Sequence, residues 1–367
     1  MRFIHTADWH LGRIFHGMHL TDDQAYILEN LELILKEEKP DAYIISGDIY
    51  DRSVPPPEAV ELLNSHLEKV IDHLKIPVIM IAGNHDGAER LDFGSSMMKG
   101  AGLHINGVFR GDMAPVIFED KHGPVFFHPI PYADPERMRP ALNYDEPLTH
   151  NSGLALYTEK VRAFVPEGMR SVSIAHAFVN GGSSCESERP LTIGGAGAVN
   201  VSAFSGFCYT ALGHLHEPQN ISSTIRYSGS LMKYSISEYN HRKSVTIVEI
   251  DRAGNAKTGE IPLVPRRDLR ILKGTLREII NNDDTLSRED YIAVQLTDRE
   301  AVYDAMNRLR SVYPNIIHLE RTGFRHSEEE FPGSKGISLS DRDLFSSFYL
   351  SVTGSEPGER EKGIISS

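Results

Sequence analysis

The stretch "HTADWHLG", residues 5–12, sets Asp8 and His10 two positions apart behind the apolar start "MRFI". Residues i and i+2 of a strand share a face, so this spacing predicts a carboxylate and an imidazole pointing together. Oxygen and imidazole nitrogen make a mixed donor set suited to a divalent metal. One such pair occurs by chance in many chains, but here the device recurs. Asp48 and Asp51 in "GDIYD", Asn84, His85 and Asp86 in "GNHD", His176 in "IAHA", and His214 and His216 in "GHLH" each follow an apolar run. Each has an ordinary reading alone: Asp48 as a helix cap, His214 as a core histidine, "GNHD" as a turn. Their joint occurrence points instead to one site. Two divalent ions that generate hydroxide need about seven protein donors and a bridging carboxylate. Asp8, His10, Asp48, Asn84, His176, His214 and His216 are such a set, which leaves His85 for proton chemistry or charge stabilisation.

The elements that must position these residues are legible nearby. "RFIHTAD" (2–8), "DAYIISGD" (41–48), "PVIMIAGNHD" (77–86), "SVSIAHA" (171–177) and "CYTALGHLH" (208–216) predict strands buried on both faces. Thr21 with Gln24 predicts a capping box at the start of a helix, and 57–74 predicts a second helix behind Pro55, Pro56 and Pro57. Alternating strands and helices imply a layered α/β sheet, in which ligands gather beyond the carboxyl ends of the strands. Gly47, Gly83 and Gly213 precede the polar residues and let the backbone turn or approach closely. Farther on, "IRYSGS" and "SVTIVEID" read as antiparallel strands, with "RAGN" as a turn. After "PLVPRR", the runs "LRILKGT", "LREIINN", "YIAVQLT", "REAVYDAMNRLRSVY" and "NIIHLE" predict a compact βαβαβ unit. The tail after 331 is rich in Ser, Gly and charge, with one amphipathic stretch at 341–354.

The chain has 367 residues, suited to one large domain and a smaller one. A net charge of −13 argues against a nucleic-acid partner, unless bound cations and local basic patches reverse the field. Two such patches are Arg266, Arg267, Arg270 and Lys273, and "HRK" at 241–243; for both, the alternative is a solvated surface. No apolar run approaches the ~20 residues of a membrane span, and no basic segment leads into a long apolar core as in a signal peptide. Cys185 and Cys208 cannot build a disulfide framework, so a reducing cytoplasm is expected.

The order D-x-H, G-D-x-x-D, G-N-H-D, H, G-H-x-H resembles the calcineurin-like metallophosphoesterase superfamily. The resemblance implies a layered β-sandwich flanked by helices. It implies one metal held by Asp8, His10, Asp48 and His216 and a second by Asp48, Asn84, His176 and His214, with Asp48 bridging. His85 would act on the leaving group, oriented by Asp51, with Asp86 as the rival for that role. "HTADWHLGR", "GDIYDRSVPPPEA", "IAGNHDGAER", "FVNGGSSCESERPLTIGG", "ALGHLHEPQ" and "IRYSGSLMKYSISE" resemble the SbcD family of bacterial nuclease subunits. That likeness covers nearly the whole chain. It implies a nuclease domain over 1–265, a DNA-capping α/β domain over 266–335 and a tail over 336–367 that docks an ATPase. It further implies two divalent ions, manganese for preference. The expected activity is that of an exonuclease on duplex DNA ends and an endonuclease on single strands and hairpins, acting in DNA repair and recombination. The expected partner is an SbcC-like ATPase, with two copies of this chain in a heterotetramer. A phosphomonoesterase or cyclic-nucleotide phosphodiesterase would share the metal set but is not expected to keep the "SERPL" segment or the βαβαβ unit. A non-catalytic scaffold should have lost ligands, and none of the set is missing.

Overall fold

The computed structural model describes all residues except 113, 167, 189–196, 283–287, 301, 324–345, 347–348, 351–352 and 359–367. The chain forms two compact units, Met1–Arg266 and Arg267–Ser367. In chain order the first unit contains β1 (Arg2–Thr6), β2 (Ile14–Phe15), β3 (Met18–His19), α1 (Thr21–Glu38), β4 (Ala42–Ser46), α2 (Pro57–Glu68), β5 (Val78–Ile81), α3 (Ala88–Leu91), α4 (Ser95–Met98) and β6 (Leu103–Asn106). It continues through β7 (Val116–Asp120), β8 (Gly123–Ile130), α5 (Pro135–Ala141), α6 (His150–Phe164), β9 (Arg170–His176), β10 (Tyr209–Gly213), β11 (Gln219–Asn220), β12 (Ile225–Tyr227), β13 (Ser244–Ile250) and β14 (Ala256–Pro262).

Two six-stranded sheets result, ordered β14-β13-β1-β4-β5-β6 and β11-β12-β10-β9-β8-β7. Within them β1, β4, β5 and β6 run parallel, as do β8, β9, β10 and β12. The inner faces meet through Phe3, Ile44, Ile79, Phe127, Val172, Ile174 and Tyr209, a closed apolar layer. The rings of Phe3 and Phe127 stand edge to face at 5.4 Å, a favoured aromatic geometry. On the outside of the second sheet, α5 and α6 contribute Met138, Leu154 and Tyr157 to a further core. Helix α1 turns Ile27, Leu31 and Leu35 inward. This is the layered α/β sandwich that the strand runs imply.

Four local expectations change. The strands stop earlier than their apolar runs, β1 at Thr6, β4 at Ser46 and β5 at Ile81. The predicted capping box is absent: Leu20 is the N-cap of α1 and no side chain caps it. The second helix converts to a π-helical turn over Lys69–His73 rather than continuing regularly. The expected partner of "IRYSGS" is also corrected. β12 lies in the second sheet beside β10, while β13 pairs with β14 across the "RAGN" turn. Periodicity tells which face of a strand is buried, but it does not choose a partner among several short strands.

The second unit contains β15 (Leu269–Gly274), α7 (Leu276–Ile280), β16 (Tyr291–Leu296), α8 (Ala305–Arg310) and β17 (Ile316–Arg321), with a parallel three-stranded sheet. Leu276, Ile279, Ile292, Val294, Leu309 and Tyr313 form its core. Thr275 and Glu278 make a complete capping box on α7. Helix α8 is shorter than its periodic run because Asp304 takes a left-handed backbone (φ 53°) at its start. Most of the amphipathic stretch at 341–354, and residues 189–191 of "SERPL", lie outside the described residues. Among the described residues, no helix is long and apolar enough to cross a membrane.

Candidate metal centre

Asp8 and His10 stand beyond the end of β1, not on it. Both adopt left-handed backbone, φ 54° and 46°, so a shared strand face is not what aligns them. The loop is instead zipped to the one after β4. The N–H of Asp8 donates to Gly47 (3.0 Å), that of His10 to Asp48 (3.0 Å) and that of Leu11 to Ile49 (2.9 Å). Asp48 (φ 48°) and His214 (φ 110°) share this unusual backbone. Such residues cost on the order of 1–3 kcal/mol each and persist only where their surroundings over-determine them. The glycines permit the crowding. A Cβ on Gly83 would lie 2.1 Å from Oδ1 of Asp48, and one on Gly213 would lie 2.0 Å from the Ser46 carbonyl oxygen.

The strand ends bring all seven candidate ligands together. Asp8, His10 and His216 form one buried group of donor atoms, and Asp48, His176 and His214 another. Asn84 joins the second, its Oδ1 2.9 Å from Nε2 of His176 and 3.2 Å from Nδ1 of His214. Asp48 lies between the groups, with Oδ2 3.4 Å from Nε2 of His176 and 3.8 Å from Nε2 of His10. In the first group, Nε2 of His10 faces Nε2 of His216 at 3.1 Å. Donors about 2.0–2.2 Å from one ion at adjacent corners lie roughly 3–3.5 Å apart, so these spacings fit shared cations. Electrostatics fits as well. Burial pushes the Asp8 carboxyl up to about 7 despite the opposing imidazoles of His176 and His216. The protein alone therefore leaves its charge undercompensated, which a cation would correct. Burial lowers His214 to about 3, aided by His176. Burial also works against charge on His176, but the Asp48 and Asp8 carboxylates prevail and raise it to about 9.

Two residues that sequence reasoning passes over hold the ligands in place. Gln24, which the sequence pattern places in a helix cap, is buried beneath the Asp8–His10 loop. Its Nε2 donates to the carbonyl of His10 at 2.7 Å, and its Oε1 accepts the N–H of Gly12 at 3.0 Å. Glu238 is fully buried and sits behind His216. Its Oε1 lies 3.2 Å from Nδ1 of His216 and accepts the Ser187 hydroxyl at 2.6 Å. Burial alone would raise the Glu238 carboxyl, but the Lys243 ammonium against it holds it well below the carboxylate range. The Thr21–Gln24 spacing is a false cap signal. The only sequence hint of Glu238 is its place in "SISE", a segment carried by resemblance.

His85 is buried beside this set, its ring edge to face with His10 at 4.7 Å. The expected orienting carboxylate needs correction. Nδ1 of His85 meets the main-chain carbonyl of Asp51 at 2.8 Å, while the Asp51 side chain pairs with Arg13 at 2.8 Å. The rival Asp86 is engaged elsewhere. Its carboxylate accepts the N–H groups of Ile49, Tyr50 and Gly83, tying the loops after β4 and β5.

A two-sheet α/β sandwich whose parallel strand ends deliver paired carboxylate and imidazole donors defines a calcineurin-like phosphoesterase, and the model of that family matches residues 1–160. Residues 265–353 match a model described as the type 5 capsule protein repressor C-terminal domain. The chain is 35% identical to the SbcD subunit of the nuclease SbcCD from Staphylococcus epidermidis, over 96% of its own length and 94% of that protein's. It therefore belongs to the SbcD family of nuclease subunits, metallophosphoesterases that use divalent metal. Among solved structures, it is similar to TT1561 of Thermus thermophilus (11% identity, TM-score 0.40, covering 71% of this chain and 98% of that one). It is also similar to a dimetal phosphatase from Danio rerio (12% identity, TM-score 0.38, covering 70% and 98%).

Proposed function

We propose that this chain hydrolyses DNA phosphodiesters, as an exonuclease on duplex ends and an endonuclease on single strands and hairpins, in repair and recombination. The observation that carries this is the meeting of two buried donor groups at Asp48, with His85 alongside. Asp8, His10, Asp48 and His216 would hold one cation, and Asp48, Asn84, His176 and His214 the other. When bound, two divalent ions supply Lewis acidity and a water of lowered pKa. Manganese suits this mixture of oxygen and imidazole donors. His85 keeps its Nδ1–H on the Asp51 carbonyl, and Nε2 is the nitrogen that would meet the phosphate. Doubly protonated, it gives the Nε2 proton to the departing sugar oxygen; held in place, it also stabilises charge there. Asp51 is its positioning residue, anchored through its own carboxylate by Arg13.

In this reading residues 1–265 are the nuclease domain, and 266–335 shape access of DNA. The tail over 336–367 docks an SbcC-type ATPase in the cytoplasm, and two copies of the chain act in the complex. Arg266, Arg267, Arg270, Lys273 and Arg242 are the candidate DNA contacts; Lys243 of the 241–243 patch is withdrawn from that set, because its ammonium is buried against Glu238. The test is cleavage of linear duplex and hairpin DNA with manganese, magnesium or calcium, with and without the ATPase. A small phosphate bis-ester and mono-ester are run beside them. Manganese should support the fastest cleavage, and the bis-ester should outpace the mono-ester. Equal rates with magnesium at matched concentration would count against the ligand assignment, and preference for the mono-ester against DNA as substrate.

A further inference from the structure

Besides His10, Asp51 and His85, which belong to the centre described above, Cys185, His216 and Glu238 form a further cluster of metal-competent atoms next to it. The hydrogen bonds around Glu238 argue against an ion there. Its Oε1 already accepts the Ser187 hydroxyl at 2.6 Å and the N–H of Tyr234 at 3.1 Å, and faces Nδ1 of His216 at 3.2 Å. Its Oε2 is taken by the ammonium of Lys243, which also donates to the His216 carbonyl and the Ser230 hydroxyl at 2.8 Å each. About three of the carboxylate's four lone-pair sites are thus taken, and the ammonium of Lys243 against Oε2 repels a new cation there.

We infer that Glu238 is a positioning residue that fixes the tautomer and ring orientation of His216 and thereby sets the affinity of one of the two cation positions. The inference rests on the two-cation reading above. Ser187 gives its proton to Glu238, so its oxygen accepts from Nδ1 of His216 at 2.8 Å. The imidazole proton is then held at Nδ1, and Nε2 presents its lone pair towards Nε2 of His10. Carboxylate support of this kind raises ligand basicity, and its loss typically weakens metal binding about 10–100-fold. The effect is local. In the other group, Nδ1 of His176 meets the Ser46 main-chain carbonyl at 2.9 Å, so Glu238 should tune only the position served by Asp8, His10 and His216.

The test is manganese titration of the full-length protein by electron paramagnetic resonance of the free ion, with circular dichroism on the same samples. Wild type should bind two ions. Glu238→Gln should weaken one roughly 10–100-fold and leave the other unchanged. Because Gln leaves Lys243 buried without its counter-charge, the Glu238→Gln/Lys243→Met double variant is measured too. It restores charge balance without restoring the carboxylate, so the single weakened position should persist. Two wild-type affinities in a folded variant, or equal weakening of both positions, would overturn the inference. A wild-type protein that binds fewer than two ions would overturn the two-cation reading, and this inference with it. Zinc titration of Cys185→Ser addresses the third-ion alternative: unchanged stoichiometry is expected, and loss of one bound zinc would overturn the positioning role.

Discussion

Gln24→Met separates the loop that carries His10 from the residues that bind. Methionine nearly preserves the buried volume but supplies neither the amide oxygen nor the amide N–H. The N–H of Gly12, bonded to Gln24 at 3.0 Å, then loses its partner, while the carbonyl of His10 loses the 2.7 Å bond from Gln24 but keeps the N–H of Arg13 at 3.1 Å. Gln24 is 1% exposed, so water cannot replace it without opening the loop. A buried group left unsatisfied costs about 1–3 kcal/mol and a lost hydrogen bond about 0.5–1.5 kcal/mol, so the change should cost about 1.5–4.5 kcal/mol. That is a large part of a typical net stability of about 5–15 kcal/mol. The loop has a way to escape, since it can open and hydrate its main chain. Loss in urea unfolding should therefore fall toward the lower figure, with the remainder appearing as weaker manganese binding. Metal-free unfolding and manganese titration of the same preparations measure both. A variant within about 0.5 kcal/mol of wild type, the level of an ordinary surface change, with unchanged manganese affinity would refute the assignment of Gln24 as the support of this loop.

His85→Ala should lower DNA cleavage about 10²–10⁴-fold while both ions stay bound, measured as rate and metal content together; loss of an ion would make His85 a ligand instead. Gly83→Ala drives a methyl to 2.1 Å from Oδ1 of Asp48 and 2.3 Å from its main-chain nitrogen, so bound metal and activity should both fall, whereas Gly100→Ala, with open space around it and an ordinary backbone, should spare both. Acid should destabilise the metal-free protein partly through buried neutral imidazoles. Burial lowers His128 to about 4 and, with Arg226, lowers His5 to about 3. The unfolded chain takes up these protons below about 6.5 while the folded one resists, so their contribution is complete above that pH and is lost between about 6.5 and the folded values. Each histidine costs about 1.4 kcal/mol per pH unit in that window. Stabilities from urea unfolding at pH 7 and pH 5 should therefore converge by up to about 2 kcal/mol in His128→Phe relative to wild type, and an identical pH dependence would disprove the role of His128.

Residue type and period, read along the chain, were enough to say which side chains could do chemistry and in what order. Asp8, His10, Asp48, Asn84, His85, His176, His214 and His216 each follow an apolar run, and apolar runs between helical patterns imply parallel strands whose ends collect ligands. Both are local properties, and they also specify the α/β class and the small strand-helix unit near the C-terminus. What they miss depends on partners distant in sequence. Gln24 looks like a capping residue because a short-range pattern cannot reveal that its amide meets the main chain of His10. Glu238 has no local signature, since its role comes from standing behind His216, 22 residues away along the chain. Asp51 looks like an orienting acid, yet its main chain holds His85 while Arg13 holds its carboxylate. The left-handed backbone of Asp8, His10, Asp48 and His214 is equally hidden: Asp and His adopt it more often than most residues, but it stays uncommon even for them. Long-range packing decides it: the loop after β1 is zipped to the loop after β4 and both press against the end of β10, which makes those conformations the least costly ones available.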